Sequence, residues 1–294
     1  MIVLSEAHGN HKPSASLRDL QTAEQAAKIQ GCDVYSIPAD FDICENAENA
    51  LFHIPMQSEM KSAAWIGYIP SRDRYAGIYQ AALQKNIRLL NAPDEHARAL
   101  EFDKMYPLLE GITPKSVVVE KQDELSKSAE TIGFPIFLKG SVQSRKSKGL
   151  RACFAENIEE LEIAAKHLFE LENRTRGKVI LRQFRELRHV RRIGDFPQGR
   201  EFRVFLYRHE VLEYGYYWDE KDELSDLSSE EEREVLSLAI EASSRMNVPF
   251  LCVDVGQLAD GSWIVIETGD PQFSGMSKIS PLKLWKKLRE IGNE

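Results

Sequence analysis

The sequence is poor in the residues that staple or anchor a fold. Only four of its 294 residues are cysteine. Cys32, Cys44, Cys153 and Cys252 lie far apart with no C-x-x-C pair, which suits neither a disulfide framework nor a zinc site. They read as buried or incidental thiols. No run of about 18 apolar residues occurs, so no membrane-spanning helix and no membrane partner are expected. The stretch MIVLSEAHGNHK lacks the basic start and small-residue cleavage site of a secretion signal, and a cytoplasmic protein is the expectation. Positive charge is in deficit as well, with Lys+Arg 38 against Asp+Glu 46 and a net charge of −8. The molecule as a whole is therefore not drawn to polyanions, and only a local basic patch would serve such a partner.

What is present is ordinary globular composition, 43% hydrophobic and 29% charged. The length suits two domains of about 150 residues, enough for one lobe to hold a nucleotide and another a substrate. The first hundred residues read as β-α-β: a strand over Met1 to Leu4, a helix over Ser16 to Gln30, and a strand over Cys32 to Ile37. An apolar stretch from Ala63 to Ile69, helical spacing from Tyr75 to Lys85 and a strand from Ile87 to Leu90 continue the alternation, which points to a mostly parallel sheet. From Ser116 the pattern changes. Strands over Val117 to Glu120, Ile136 to Lys139 and Val179 to Gln183 enclose helices over Asp123 to Thr131 and from a cap at Asn157 to about Glu172. Between them lies a polar, basic loop, Gly140 to Gly149. In the last third, Glu201 to Tyr207 and Glu213 to Tyr217 read as an antiparallel pair. Ser229 to Arg245 reads as an acid-led helix, Leu251 to Gln257 and Trp263 to Glu267 as a hairpin across Asp260-Gly261, and Pro281 to Ile291 as a closing helix.

The chemistry-bearing residues interrupt those apolar strands. Asp254 and Glu267 stand in adjacent core strands, and Asp270 follows three residues later. Buried carboxylates are costly unless something positive meets them, either a magnesium ion bridged to nucleotide phosphates or a basic side chain. In G-R-E-F-R-V-F the period of two puts Glu201 and Arg203 on one face, over a packed layer of Phe202, Val204 and Leu206. They suit a site or a mutual ion pair. Lys139 ends an apolar run, where its stem is buried while its ammonium can face phosphate oxygens. His8 and His11, without nearby carboxylate or thiol ligands, read as surface residues rather than a metal site.

In sequence order, Lys104 before G-I-T-P, G-F-P-I-F-L-K-G, I-L-R-Q-F-R, G-R-E-F-R-V-F and V-D-V…D-G-S-W-I-V-I-E-T-G-D resemble the ATP-grasp superfamily over residues 101 to 276. Arg72, Arg74, Tyr75, Ile78 and Tyr79, leading into L-L-N-A-P, resemble the region that precedes this fold in the clade named for one arginine and two lysines. The resemblance implies an α/β protein. A small parallel-sheet domain, residues 1–100, would precede an ATP-grasp domain, 101–294, whose ATP-covering subdomain spans about 113–185. It implies ATP and Mg2+ as cofactors. Lys104 and Lys139 would meet the phosphates, the backbone of Gln183, Phe184 and Arg185 the adenine, and Glu201 the ribose. Arg203 would act on the γ-phosphate or acyl phosphate, making it and Lys139 the expected catalytic residues. Asp254 and Glu267 would hold the metal. Many members carry E-x-N where this chain has Glu267-Thr268-Gly269, so Asp270 is the expected third ligand.

The implied activity is a carbon–nitrogen ligase that phosphorylates an acceptor carboxylate and joins it to an amine, with a small-molecule or peptide substrate. A homodimer is compatible with that resemblance. The arginines from Arg182 to Arg192, with Arg174 and Arg176 before them, suggest a second reading, a ligase or phosphotransferase acting on an RNA end, unless they pair with the acidic run from Asp219 to Glu234. A third reading is a regulatory module that binds nucleotide without turnover. Tyr214, Tyr216, Tyr217 and Trp218 suit either a substrate wall or the core.

Overall fold

The computed structural model describes residues 1–7, 14–218, 220 and 222–292. His8 and His11 lie outside the described residues.

The N-terminal sheet joins β1 (Ile2–Ser5), β2 (Asp33–Ser36), β3 (Lys61–Ile66) and β4 (Ile87–Leu89) in the order β2-β1-β3-β4, every pair parallel as the alternating pattern predicts. The connections are α1 (Ala15–Ile29), the short α2 (Ala47–Ala50) and α3 (Arg72–Leu83). Ser14 and Ser71 cap α1 and α3 by accepting bonds from Leu17 N and Arg74 N, which satisfies otherwise orphaned donors. Two helices not anticipated from the sequence, α4 (Pro93–Leu100) and α5 (Phe102–Leu109), then lead out of the sheet. Pro107 inside α5 and the interruption at Glu101 break the helical period there, so its pattern is weak in the sequence.

The middle of the chain forms an antiparallel sheet in the order β5-β8-β6-β7, from β5 (Ser116–Val119), β6 (Ile136–Gly140), β7 (Phe154–Ala155) and β8 (Val179–Gln183). Helices α6 (Leu125–Ile132) and α7 (Ile158–Phe169) close a core of Leu138, Leu161, Ala165 and Leu181, and α8 (Glu172–Thr175) leads into β8. A separate two-stranded ribbon, β9 (Arg191–Ile193) and β10 (Phe196–Gln198), follows; too short for a readable period, it was not anticipated.

The last sheet is antiparallel in the order β12-β11-β13-β14, from β11 (Glu201–Tyr207), β12 (Glu210–Tyr216), β13 (Phe250–Gln257) and β14 (Trp263–Gly269). Both expected pairings are present, and β13 is buried along its whole length. The long helix α9 (Ser229–Met246) covers one face, started by a Ser228–Glu231 capping box. The closing helix α10 (Pro281–Ile291) turns back to the first sheet, and Leu284, Trp285 and Leu288 share a core with Val3, Ala23, Phe205 and Phe250.

Candidate functional site

The middle and last sheets face each other across a cleft whose walls include Phe137, Phe154, Phe184, Leu187 and Ile266 on the apolar side. Lys139, Lys146, Glu201 and Glu267 converge on its polar end. An apolar slot ending in charged groups suits a ligand with a flat ring at one end and charge at the other.

Strand register explains the polar end. Asp254 pairs with Arg203 on one side and with Glu267 on the other, so three charged side chains from β11, β13 and β14 lie in one row. Arg203 donates from Nε and Nη2 to the two oxygens of Asp254, each at 2.8 Å, and from Nη1 to the carbonyl of Gly275 at 2.8 Å. Lys139, at the end of β6, crosses the cleft and donates to Glu267 Oε2 at 2.6 Å. Burial alone would raise the Glu267 carboxyl, but Lys139 and Lys146 outweigh it and hold it down at about 2. The row therefore consists of charges matched in pairs, which is how ionised groups persist in a buried setting.

Glu201 is the exception. It is 2% exposed, and its Oε2 has no hydrogen-bond partner among the described residues. Burial raises its carboxyl to about 7, aided by Asp254 and Glu267 and opposed by Lys146. An orphaned buried oxygen at the edge of a slot is a place prepared for a ligand's donor.

Several expected residues thus come together: Lys139, Glu201, Arg203, Asp254 and Glu267, with Gln183, Phe184 and Arg185 on the cleft wall. Two do not. Lys104 meets a different partner: its ammonium lies 3.7 Å from the fully buried Glu101, which also holds Arg72 and Arg176. Asp270 is fully buried on the other side of the turn, where its Oδ2 meets His96 Nδ1 at 2.9 Å and its Oδ1 accepts from Gln272 N at 3.1 Å. Its side chain anchors that turn. The space beside Gly269 is filled instead by Ser274, whose Oγ would be 3.0 Å from a Cβ added there.

Lys146 is the site residue that sequence reasoning did not single out. It projects from the basic loop, with its ammonium 5.9 Å from the Phe196 ring and 6.0 Å from the Tyr217 ring. Burial alone would make its ammonium easier to deprotonate, but Glu201, Tyr217, Glu267 and Asp254 outweigh it and hold the group well above the usual range. The loop's composition signalled a phosphate-facing segment, but nothing distinguished Lys146 from Arg145 or Lys148.

The arginine patch divides. Arg182 is buried, donating to Thr113 Oγ1 at 2.8 Å, and Arg191 pairs with Glu220 of the acidic run. Arg185 and Arg192 remain exposed. The aromatic run divides too. Tyr216 is core, and the hydroxyls of Tyr214 and Tyr216 donate to Glu232 and Asp222. Trp218 donates to the carbonyl of Gly199. Tyr217 faces Arg203.

Comparison with known proteins identifies the fold. The model of the ATP-grasp domain, family 3 of the clade named for one arginine and two lysines, matches residues 129–288, more than half of the chain. The VanG D-Ala:D-Ser ligase of Enterococcus faecalis superposes with a TM-score of 0.67 at 14% identity, covering 99% of this chain and 98% of that one. The D-alanine–D-alanine ligase of Bacillus anthracis, complexed with ATP, gives 0.63 at 14% identity, covering 94% and 86%. The ATP-grasp ligase PsnB, complexed with a minimal precursor, Mg and ADP, gives 0.58 at 14% identity, covering 100% and 98%. At these identities the likeness is one of fold. No curated protein matches the chain.

Proposed function

The chain belongs to family 3 of the ATP-grasp clade named for one arginine and two lysines, and from that premise we propose that it is an ATP- and magnesium-dependent ligase that phosphorylates an acceptor carboxylate and joins it to an amine. The carrying observation is the row Arg203–Asp254–Glu267–Lys139 at the polar end of the aromatic slot, with the unpartnered Glu201 oxygen beside it.

In this reading the slot between Phe154, Phe184 and Ile266 takes the adenine, with the backbone of Gln183, Phe184 and Arg185 along its edge. Glu201 accepts from the ribose hydroxyls, which gives its orphaned oxygen a donor. Lys139 and Lys146 meet the phosphates. Asp254 and Glu267, side by side on β13 and β14, would hold the magnesium ion, to which their hard carboxylate oxygens are suited. When bound, the metal neutralises the charge on the phosphates.

An acceptor carboxylate oxygen attacks the γ-phosphorus, the bond to the β–γ bridging oxygen breaks, and ADP departs with that electron pair. An amine then attacks the acyl carbon, the carbon–oxygen bond to phosphate breaks, and phosphate leaves as the amine gives up its proton. The protein supplies position and positive charge rather than a nucleophile. Arg203 keeps the row in place and presents its remaining N–H groups to the transferred phosphoryl. The acceptor is a small molecule or a peptide, in line with the D-amino-acid ligases and the precursor-bound PsnB that share the fold.

The test is to incubate the purified protein with magnesium, ATP and fractionated small-metabolite, peptide and RNA extracts, resolving ADP from AMP. ADP and phosphate formed only with a small-molecule or peptide fraction are expected. AMP would overturn phosphorylation of the acceptor, and turnover only with the RNA fraction would move the acceptor class.

A further inference from the structure

Of the four aromatic residues Tyr214, Tyr216, Tyr217 and Trp218 at the end of β12, three have their polar atoms occupied: Tyr214 and Tyr216 by acidic side chains and Trp218 by a backbone carbonyl. Tyr217 is different. Its backbone N–H donates to the carbonyl of Glu201 at 2.9 Å, which fixes it beside that residue. With Tyr216 turned into the core, the period of two turns Tyr217 to the opposite face, which Glu201 and Arg203 share.

On that face the phenol ring lies over the Arg203 guanidinium, 4.7 Å from centroid to Cζ, with Lys146 Nζ at 6.0 Å. Trp218 packs edge-on against it at 5.0 Å and 76°, which restricts the ring's rotation. Among the described residues no hydrogen bond engages the Tyr217 hydroxyl. A phenol held between two cations, with its donor unused, is arranged for an anionic oxygen that both cations also attract.

We propose that Tyr217 is a phosphoryl-contacting residue, whose hydroxyl donates a hydrogen bond to the terminal phosphoryl group of the nucleotide beside Arg203 and Lys146. The assignment rests on the nucleotide site argued above and adds a residue to it. The hydroxyl is a donor throughout the neutral range, since burial, with Asp254 and Glu267, raises it to about 12 against the pull of Arg203 and Lys146. Tyr217 stands outside the aromatic slot, beside Arg203 and beside Lys146 of the slot's polar end.

The experiment compares Mg·ADP with Mg·AMPPNP by titration calorimetry on wild-type protein, Tyr217→Phe and Tyr214→Phe, with a thermal melt of each. In Tyr217→Phe, AMPPNP affinity should fall by about tenfold, the scale of one charge-assisted hydrogen bond, while ADP affinity stays within about twofold. Tyr214→Phe, whose hydroxyl is engaged with Glu232, should leave the AMPPNP-to-ADP ratio unchanged. An unchanged ratio in Tyr217→Phe, or an equal loss for both nucleotides, would overturn the assignment. Wild-type protein that binds neither nucleotide would instead overturn the nucleotide site on which it rests.

Discussion

Arg203 and Asp254 face each other across adjacent antiparallel strands and share two parallel 2.8 Å hydrogen bonds. The guanidinium thus holds the carboxylate in orientation, and the carboxylate holds the guanidinium in turn. Neither residue is independent of the other. Side-chain exposure is 11% for Arg203 and 3% for Asp254, so water does little to replace a missing partner.

Removing Arg203 should therefore damage the fold as well as the site. Arg203→Ala leaves Asp254 buried and unpaired, and unfolding in urea should show a loss of about 3–5 kcal/mol. Arg203→Lys should recover only part of it, because an ammonium cannot make the two parallel bonds.

Glu201 gives a pH signature. Its carboxyl is raised to about 7 from a usual 4.5, so the folded protein holds a proton that the unfolded chain has released. The associated stability is fully present below pH 4.5 and is lost as pH rises through about 7. Glu201→Gln should remove this slope and be the more stable form above pH 7, by on the order of 3 kcal/mol in the nucleotide-free protein. Denaturation of both proteins from pH 5 to pH 8 checks it, and parallel curves would refute it. Glu267, held at about 2, titrates in a separate acid window and does not blur the comparison.

Glu101 ties the first sheet's helices to the middle sheet. It is fully buried between Arg72 on α3, Arg176 just before β8 and Lys104 on α5. Burial would raise its carboxyl, but these three cations outweigh it and hold it below the usual range. Its contribution is present above the ordinary carboxylate value and lost as pH falls through the lowered one. Glu101→Ala should cost about 3 kcal/mol in urea denaturation at neutral pH and speed limited proteolysis of the chain around Arg176.

Gly140 follows Lys139 at the end of β6, where the Arg174 carbonyl approaches so closely that an added Cβ would clash with it. Gly140→Ala should destabilise by about 2 kcal/mol and, by shifting Lys139, weaken Mg·AMPPNP binding. Denaturation and calorimetry report the two effects separately.

Much of the architecture was legible because its signals are local. The parallel N-terminal sheet followed from alternating strand and helix periods, and the β13–β14 hairpin from apolar runs around Asp260-Gly261. Asp254 and Glu267 stood out because a carboxylate in an apolar strand needs a partner wherever the strand lies. The β9–β10 ribbon was illegible, since strands of three residues have no measurable period. Asp270 looked equivalent to Glu267 in the sequence; only the approach of His96, from 174 positions away, showed that it serves the turn.

The sequence by itself determined which strands are amphipathic, which turns join them, and that charged residues of both signs must meet inside the fold. Side-chain periodicity and turn chemistry act between near neighbours, so these features are written residue by residue. Only the tertiary structure decided who meets whom. Lys139 reaches Glu267 across 128 positions, while Lys104 is drawn to Glu101. Coulomb energy and desolvation depend on distance in space, and the path of the chain through three sheets sets that distance.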